Sequence, residues 1–234
     1  MQTQHYNIEQ KGDKGQHLYL NPKGTHKNTL IFMHGLGDTA KGYLDIFTSQ
    51  INPVTPDTKV VLLTAPIRKV TVNFGMQMTS WFDFREFDIQ PEHFDKAISV
   101  EEIVESTKMV NNVLTEEISI LKDSKKVFIG GFSQGACMAL HTGLQFDQQL
   151  GGILVFSGFA FPVTKQHEKN QNTKILITHG KDDQLLPWNK CEKTYKDILK
   201  RENDIKVEPL DNLDHGFNEQ SFKLFKDFFN SLVK

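Results

Sequence analysis

Short runs of apolar residues alternate along the chain with longer segments in which apolar residues recur every three or four positions. The short runs fall at residues 18–20, 29–33, 60–63, 126–129, 153–156, 174–178 and 205–209. Several of them are almost wholly apolar, which is typical of parallel strands that are covered on both faces. The sequence therefore predicts seven strands, most of them in a parallel sheet.

The helical pattern is clearest from Ser99 to about residue 121, where apolar residues recur at spacings of three and four. Ser99 followed three residues later by Glu102 resembles a capping box at the start of this helix. Further helices are predicted at residues 134–144, 189–201 and 218–232. The alternation of strands and helices predicts one α/β domain over residues 1–234, with a mostly parallel central sheet flanked by helices.

Composition narrows the classes of function. The 234 residues include 27 Lys+Arg and 29 Asp+Glu, so the net charge of −2 gives no reason to expect a nucleic-acid partner. The apolar runs stay well short of the roughly 18–20 residues that cross a bilayer, so we expect no stable membrane insertion. Two cysteines are too few for a disulfide framework. The first residues lack the basic and apolar start of a signal peptide, and we expect a cytoplasmic protein.

Candidate chemistry begins with the segment GFSQG at residues 131–135, which fits the G-x-S-x-G pattern. The pattern alone is weak, but here a predicted buried strand precedes it and a predicted helix follows it. Such a strand–turn–helix exposes a serine hydroxyl at a helix N-terminus, where negative charge is favoured. We therefore predict that Ser133 is a nucleophile. The alternative is a glycine-rich turn in which Ser133 only caps the helix.

A nucleophilic serine needs a general base. In proteins with this pattern the chain order is serine, then the acid, then the histidine base. Four histidines come after Ser133. His141 lies within the helix that leaves the turn, His167 in a polar loop, and His179 at a strand end before any candidate acid. His215 lies between the last predicted strand and the last helix, and only His215 satisfies both order and location. The alternative is a solvated loop histidine.

The acid that orients the base should follow the predicted strand at residues 174–178. Asp182 and Asp183 both do, and the pattern of residues alone does not separate them. Asp211 and Asp214 are weaker candidates because they lie in the same loop as His215.

A tetrahedral intermediate also needs backbone N–H donors for its oxyanion. One donor is expected from Gln134, the residue after the nucleophile. The other is expected from the segment HGLGD at residues 34–38, where two glycines flank Leu36. A phosphate-binding loop is the alternative for this segment, but it lacks both G-x-G-x-x-G and a final Lys-Ser/Thr.

Together these segments resemble the acyl-protein thioesterase and lysophospholipase family, also called the phospholipase/carboxylesterase family, of α/β-hydrolases. The resemblance covers about residues 29–217 and includes HGLGD at 34–38, TAP at 64–66, SWFD at 80–83, GGFSQG at 130–135, the loop from His179-Gly180 to Pro187, and Asp214-His215. It implies an α/β-hydrolase fold, and because 234 residues are about what the core of such a fold needs, we expect no cap domain. Counting back from Pro187 in the family pattern selects Asp183 over Asp182, and the resemblance supports Leu36 and Gln134 as oxyanion donors.

The resemblance implies hydrolysis of long-chain acyl thioesters on protein cysteines, with lysophospholipids and simple esters as further substrates. S-acylated proteins and lipid-like esters are then the partners, and no metal or organic cofactor is implied. Two departures from the family pattern are Thr79, where proline often stands, and Leu186, where valine often stands. The alternatives are a general carboxylesterase for short soluble esters and a binding protein without catalysis, which the presence of Ser133, Asp183 and His215 disfavours.

An apolar acyl chain needs shielding from water. Residues 70–87 carry many aromatic residues and methionines without a sustained helix or strand period, which favours a flexible lipid-facing loop. The alternative is a loop that packs its own apolar residues onto the core. Residues predicted to contact the substrate are Phe74, Met76, Met78, Trp81 and Leu186. Cys137, on the helix after Ser133, is predicted to be a small core residue.

Overall fold

An eight-stranded sheet forms the centre of the protein in the computed structural model, which describes residues 5–86, 91–199 and 204–233. A separate hairpin pairs two more strands, β5 and β6. The ten strands are β1 (Tyr6–Lys11), β2 (His17–Pro22), β3 (Asn28–Met33), β4 (Thr58–Leu63), β5 (Ile67–Val70), β6 (Met76–Thr79), β7 (Val127–Phe132), β8 (Gly152–Phe156), β9 (Ile175–Gly180) and β10 (Ile205–Leu210).

The strand order of the large sheet is β1-β2-β4-β3-β7-β8-β9-β10. Six strands of this sheet run parallel to one another: β4, β3, β7, β8, β9 and β10. Strand β2 is antiparallel to both of its neighbours, β1 and β4. The central strands β3 and β7 pair with each other, and the loops that follow them therefore lie side by side at the carboxyl edge of the sheet.

Helices cover both faces of the sheet. They are α1 (Leu44–Thr48), α2 (Phe94–Ala97), α3 (Val100–Leu121), α4 (Gln134–Gln145), α5 (Trp188–Ile198) and α6 (Glu219–Leu232). Apolar residues of α3, α4 and α5 share one buried cluster, and those of α1 and α6 share the other. Within the three described stretches, no helix combines the length and the apolar character that crossing a bilayer requires.

The strand sequences explain the two clusters. Along β3, Ile31 and Met33 face the cluster of α3 to α5, while Leu30 and Phe32 face that of α1 and α6. The same alternation holds in β4, β7, β8 and β9, because successive side chains of a strand point to opposite faces. A strand that is buried on both sides is expected to be mostly apolar along its whole length, which is the pattern found in the sequence.

All seven predicted strands are confirmed, as is the mostly parallel sheet with flanking helices. The prediction missed β1, an edge strand whose mostly polar sequence carries little apolar signal, and the short helices α1 and α2. It also missed the β5–β6 hairpin, whose four-residue strands are too short to display a period. The four predicted helices are confirmed as α3 to α6, except that α5 ends at Ile198, short of the predicted end, with Leu199 as its C-cap. Residues 200 and 201 of that prediction lie outside the described residues.

The predicted capping box at the start of α3 is only half formed. Ser99 Oγ accepts a hydrogen bond from the Glu102 amide, as expected. The Ser99 amide, however, donates to the Asp83 carbonyl, and the Glu102 carboxylate accepts from the Asp83 amide and pairs with Arg68. Tertiary contacts with residues 80–85 therefore replace the second hydrogen bond of the box.

Candidate active site

The site lies where four parallel strands end. Ser133 follows β7, His34 follows β3, Asp183 lies three residues after β9, and His215 lies in the loop after β10. Because these strands run parallel in one sheet, with only β8 between β7 and β9, their carboxyl ends lie along the same edge of the sheet. This is the edge at which open α/β sheets bind ligands.

Ser133 occupies a sharp turn between β7 and α4. Its backbone has φ 54° and ψ −119°, outside the conformations that most residues adopt. The flanking glycines are required by close packing, since a Cβ on Gly131 would lie 2.4 Å from the Gly135 backbone and one on Gly135 would lie 2.3 Å from the Met33 carbonyl. The strain is held by the surrounding structure and aims the hydroxyl away from the sheet.

A chain of hydrogen bonds runs from Ser133 through His215 to Asp183. His215 Nε2 is 2.8 Å from Ser133 Oγ, and His215 Nδ1 is 2.7 Å from Asp183 Oδ2. With the Nδ1–H donating a hydrogen bond to the carboxylate, Nε2 carries the lone pair that can accept the serine proton. The arrangement can therefore activate the hydroxyl as a nucleophile.

Asp183 is held ionised at the centre of a ring of donors. Burial raises the pKa of its carboxyl, but hydrogen bonds from His179, His215 and the Leu186 amide outweigh burial and lower the pKa well below its usual range. Oδ1 accepts from the amides of Leu185 and Leu186 at 2.9 and 2.7 Å. The neighbouring Asp182 is exposed to solvent. The structure thus separates two residues that the pattern of residues alone leaves equivalent.

His179 contacts the same carboxylate, which the sequence did not predict. Its Nε2 lies 3.2 Å from Asp183 Oδ2 and 2.7 Å from the Leu186 carbonyl, so Nε2 must be a donor. Its Nδ1 is buried without a hydrogen-bond partner among the described residues. The sequence analysis placed His179 at the active edge of the sheet, but only as a candidate general base. Its position on Asp183 depends on the fold of the loop that follows.

A cavity of about 300 Å³ opens beside Ser133 and His215. Leu36 and Gln134, the two predicted oxyanion donors, both line it. Gln134 is the first residue of α4, so its amide has no acceptor within the helix. The rest of the lining is mostly apolar and includes Tyr43, Val72, Phe84, Phe132, Phe159, Leu185 and Leu186. The cavity offers an apolar compartment next to the hydroxyl.

Of the residues predicted to contact substrate, the structure brings only Leu186 to this cavity among those it describes. Trp81 is fully buried, and its indole N–H donates to the His34 carbonyl at 2.8 Å. Phe74, 98% exposed, and Met76 lie on the hairpin of β5 and β6, facing solvent. Met78 is half-buried and accepts a hydrogen bond from Asn73.

The prediction of a flexible loop at residues 70–87 is therefore corrected. Residues 76–79 pair with β5, and Trp81, Phe82 and Phe84 pack into the core. Phe87 lies outside the described residues. Val72 and Phe84 from this segment do line the cavity, although the sequence did not distinguish them from their apolar neighbours. Cys137 is buried in the core, as predicted, and Cys191 is buried as well.

Comparison with known proteins supports this assignment of fold. Residues 17–233 match the phospholipase/carboxylesterase family. The chain is 35% identical to acyl-protein thioesterase 1 of Saccharomyces cerevisiae, over 76% of this chain and 81% of that protein. It is 32% identical to acyl-protein thioesterase 1 homolog 2 of Dictyostelium discoideum, over 90% and 95%.

Solved structures agree with the sequence relatives. The crystal structure of Arabidopsis thaliana SOBER1 superimposes with a TM-score of 0.76 at 25% identity, covering 88% of this chain and 99% of that one. The eight-stranded sheet, the strained serine turn and the matched residues 17–233 all agree with one family. The chain is a member of the phospholipase/carboxylesterase family of α/β-hydrolases, and it is a serine hydrolase.

Proposed function

We propose that this enzyme hydrolyses long-chain acyl thioesters on the cysteines of S-acylated proteins, and that lysophospholipids and simple esters are further substrates. The single observation that carries the proposal is its similarity, over most of the chain, to several proteins named acyl-protein thioesterase. The apolar cavity beside Ser133 supports it, because an acyl chain next to the reacting carbonyl must be shielded from water.

In the proposed reaction, His215 Nε2 takes the proton of Ser133 as Oγ attacks the acyl carbonyl carbon. The oxyanion of the tetrahedral intermediate accepts hydrogen bonds from the amides of Leu36 and Gln134. Asp183 holds the ring with Nδ1 protonated and stabilises the imidazolium that forms. The carbon–sulfur bond then breaks, and the proton on His215 passes to the departing thiolate.

The second half of the reaction repeats these roles with water. His215 takes a proton from a water molecule, whose oxygen attacks the acyl–serine ester. Collapse of the second tetrahedral intermediate releases the fatty acid and returns the proton to Ser133 Oγ. The proton transfers between Ser133 and His215 use groups that already lie at hydrogen-bond distance, and Asp183 lies at hydrogen-bond distance from the same ring.

The second candidate is a carboxylesterase for short, soluble esters. One observation favours it: a cavity of about 300 Å³ is at the small end of the range for ligand pockets. This candidate uses the same residues and differs only in the length of the acyl chain. Acyl thioesters and oxyesters from acetyl to palmitoyl, assayed beside an S-palmitoylated peptide, distinguish the two. Higher kcat/KM for palmitoyl thioesters supports the thioesterase, and a maximum at acetyl or butyryl esters contradicts it.

A pair of variants tests whether this cavity determines the preference for acyl-chain length. Val72 is half-buried and lines the cavity, whereas Val104 is exposed on α3. Val72→Trp should narrow the cavity and lower kcat/KM for palmitoyl substrates much more than for acetyl substrates. Val104→Trp, the matched control, should leave both unchanged. Equal losses of kcat/KM for palmitoyl and acetyl substrates in Val72→Trp would contradict the binding of the acyl chain in this cavity.

The cytoplasmic location expected from the sequence stays a prediction and is part of this proposal. Fractionation of cells that express the full chain, followed by assay of the soluble and membrane fractions, measures it. Recovery of the activity in the cytosolic fraction is the expected result.

A further inference from the structure

A buried support lies directly behind residues 34–38, which we call the oxyanion loop. His34 is the first residue after β3, is 1% exposed, and takes no part in the reaction proposed above. Its ring makes two hydrogen bonds: Nδ1 is 2.6 Å from the Gly35 carbonyl oxygen, and Nε2 is 2.9 Å from the Ala65 amide nitrogen. Both partners are backbone groups: the Ala65 amide can only donate a hydrogen bond, and the Gly35 carbonyl can only accept one.

These partners determine the tautomer of His34. The Ala65 amide can only donate, so Nε2 must carry the lone pair, and the neutral ring then has its proton on Nδ1. Nδ1 therefore donates to the Gly35 carbonyl. Burial lowers the pKa of His34, and the hydrogen bond to Gly35 opposes this effect only in part. The ring is neutral at pH 7 and has both nitrogens satisfied.

The Gly35 carbonyl belongs to the same peptide unit as the Leu36 amide. This peptide is trans, so its C=O and its N–H point in opposite directions. The His34 ring holds the oxygen on the buried side of the loop. The Leu36 N–H must then point away from His34, and Leu36 lines the cavity together with Ser133.

Trp81 connects this support to the second proposed donor. The Trp81 indole N–H donates to the His34 carbonyl, and the two rings pack with their centroids 5.4 Å apart. The Trp81 backbone amide donates to Gln134 Oε1 at 2.8 Å. One buried residue therefore contacts both His34, through its indole, and Gln134, through its backbone amide. This contact also gives a structural reason for a tryptophan that does not line the cavity.

We propose that His34 is a positioning residue that aims the Leu36 amide at the oxyanion by holding the Gly35 carbonyl. Trp81 fixes His34 in this orientation. The inference rests on the proposed function, because it assumes that the Leu36 amide stabilises an oxyanion. It predicts that the hydrogen bond to Gly35 matters for turnover and that the hydrogen bond from Ala65 matters mainly for stability.

Two substitutions separate these hydrogen bonds. His34→Asn places an amide N–H near the Nδ1 position and keeps a donor for Gly35, but it cannot reach Ala65. His34→Gln places its amide near the Nε2 position, where its oxygen can accept from Ala65, but it offers no donor at Nδ1. We expect His34→Gln to lower kcat by roughly 10- to 100-fold with KM within about threefold, since loss of an oxyanion donor costs about 10²–10³ in kcat. His34→Asn should keep kcat within about fivefold of the wild type.

A boronic acid tests the same amide without turnover. When hexylboronic acid binds, Ser133 Oγ adds to boron, the hydroxyl proton passes to His215, and a tetrahedral anion forms. Its inhibition constant should rise in His34→Gln by a factor similar to the loss in kcat. His141→Asn is the matched control, because His141 is another buried histidine with a lowered pKa, and neither it nor its partners Thr164 and Gln145 line the cavity beside Ser133. It should change stability and leave kcat and boronate affinity alone.

The outcomes distinguish this inference from the proposed function. Hydrolysis of a palmitoyl thioester by the wild type, with none by Ser133→Ala, supports the proposed function. Equal kcat losses in His34→Asn and His34→Gln, or a lower kcat with unchanged boronate affinity, would then overturn the role of His34 alone. An inactive wild type or an active Ser133→Ala would overturn both. If His34→Gln does not fold, Trp81→Phe, which removes the indole donor to His34, supplies the same readouts. It should lower kcat and boronate affinity together, and unchanged values would contradict the inference.

Discussion

The two ends of the central sheet both bury charged groups, but they do so in different ways. At the amino end, Lys59 and Glu117 form a buried ion pair, and Glu117 also accepts a hydrogen bond from Thr29. Lys59 and Thr29 face each other across β4 and β3. At the carboxyl end, Asp183 is equally buried, but its chain of hydrogen bonds continues through His215 to Ser133, which faces a cavity.

The difference shows how to recognise the reactive end. At the amino end the charges neutralise each other within the packed structure. At the carboxyl end, strain at Ser133 and a partly solvated His215 leave one side of the network free to meet a substrate. We therefore expect substitutions at the amino end to change stability, and substitutions at the carboxyl end to change turnover.

The largest expected effect belongs to Ser133→Ala. Removal of the nucleophile should lower kcat/KM by about 10⁴-fold or more, because the remaining groups only bind the substrate and stabilise its oxyanion. The urea midpoint of unfolding should stay the same or rise slightly, because the substitution removes only a hydroxyl group and no apolar packing contact. Turnover near that of the wild type would refute the serine mechanism.

Next in size is the contrast between Asp183→Asn and Asp182→Asn. An amide at 183 no longer fixes the proton of His215 on Nδ1, so we expect kcat to fall by about 10³- to 10⁴-fold. Asp182 is exposed, and its replacement should change kcat less than about threefold. Steady-state kinetics on one palmitoyl and one acetyl substrate measures both. The reverse ranking would reassign the acid.

Glu117→Gln tests the amino end. It leaves the Lys59 ammonium buried without its counter-charge, which should cost about 3–5 kcal/mol of unfolding free energy. The kcat of the folded enzyme should not change. Asp227→Asn, which breaks the exposed pair of Lys223 and Asp227, is the matched control and should change the unfolding free energy far less, because solvent screens an exposed pair. A loss of kcat in Glu117→Gln, at a temperature where it is fully folded, would mean that the two ends are coupled.

The smallest effect concerns pH. The folded-state pKa of Asp183 lies below its value in the unfolded chain, so its ionised form stabilises the protein above about pH 4. This contribution is lost as the pH falls from about 4 through the folded-state pKa. The difference in urea midpoint between the wild type and Asp183→Asn should therefore be constant from pH 5 to 7 and should change toward lower wild-type stability below pH 4. A difference that stays constant to pH 3 would contradict the lowered pKa.

Much of the fold could be predicted because its signals are local. The apolar runs of β3, β4, β7, β8 and β9 indicate strands that are buried on both faces, and the three- and four-residue spacing in α3 indicates an amphipathic helix. The missed elements carry weak local signals. β1 is a mostly polar edge strand, and the hairpin strands β5 and β6 have only four residues each.

The environment of single side chains was harder to predict. Trp81 lies in an apolar segment that looks suited to a lipid, yet it is buried behind the oxyanion loop. His179 and His34 precede glycines in similar local sequences, but His179 contacts the Asp183 carboxylate, whereas His34 bonds only backbone groups. No periodicity distinguishes these cases, because each depends on which distant segment packs against the side chain.

The sequence by itself determined seven strands and four helices in their order, the GFSQG turn, and the chain order of serine, acid and base, since these are carried by residue type and spacing. It identified Ser133 and His215, but spacing left Asp182 and Asp183 equivalent until the family resemblance selected Asp183. Only the tertiary structure decided that Asp182 faces solvent, that His179 shares the carboxylate of Asp183, and that Trp81 supports the loop rather than lining the cavity. The physical reason is that apolar spacing records which face of an element is buried. The partner of a buried polar group is chosen among residues tens of positions away, where only the packed structure brings them together.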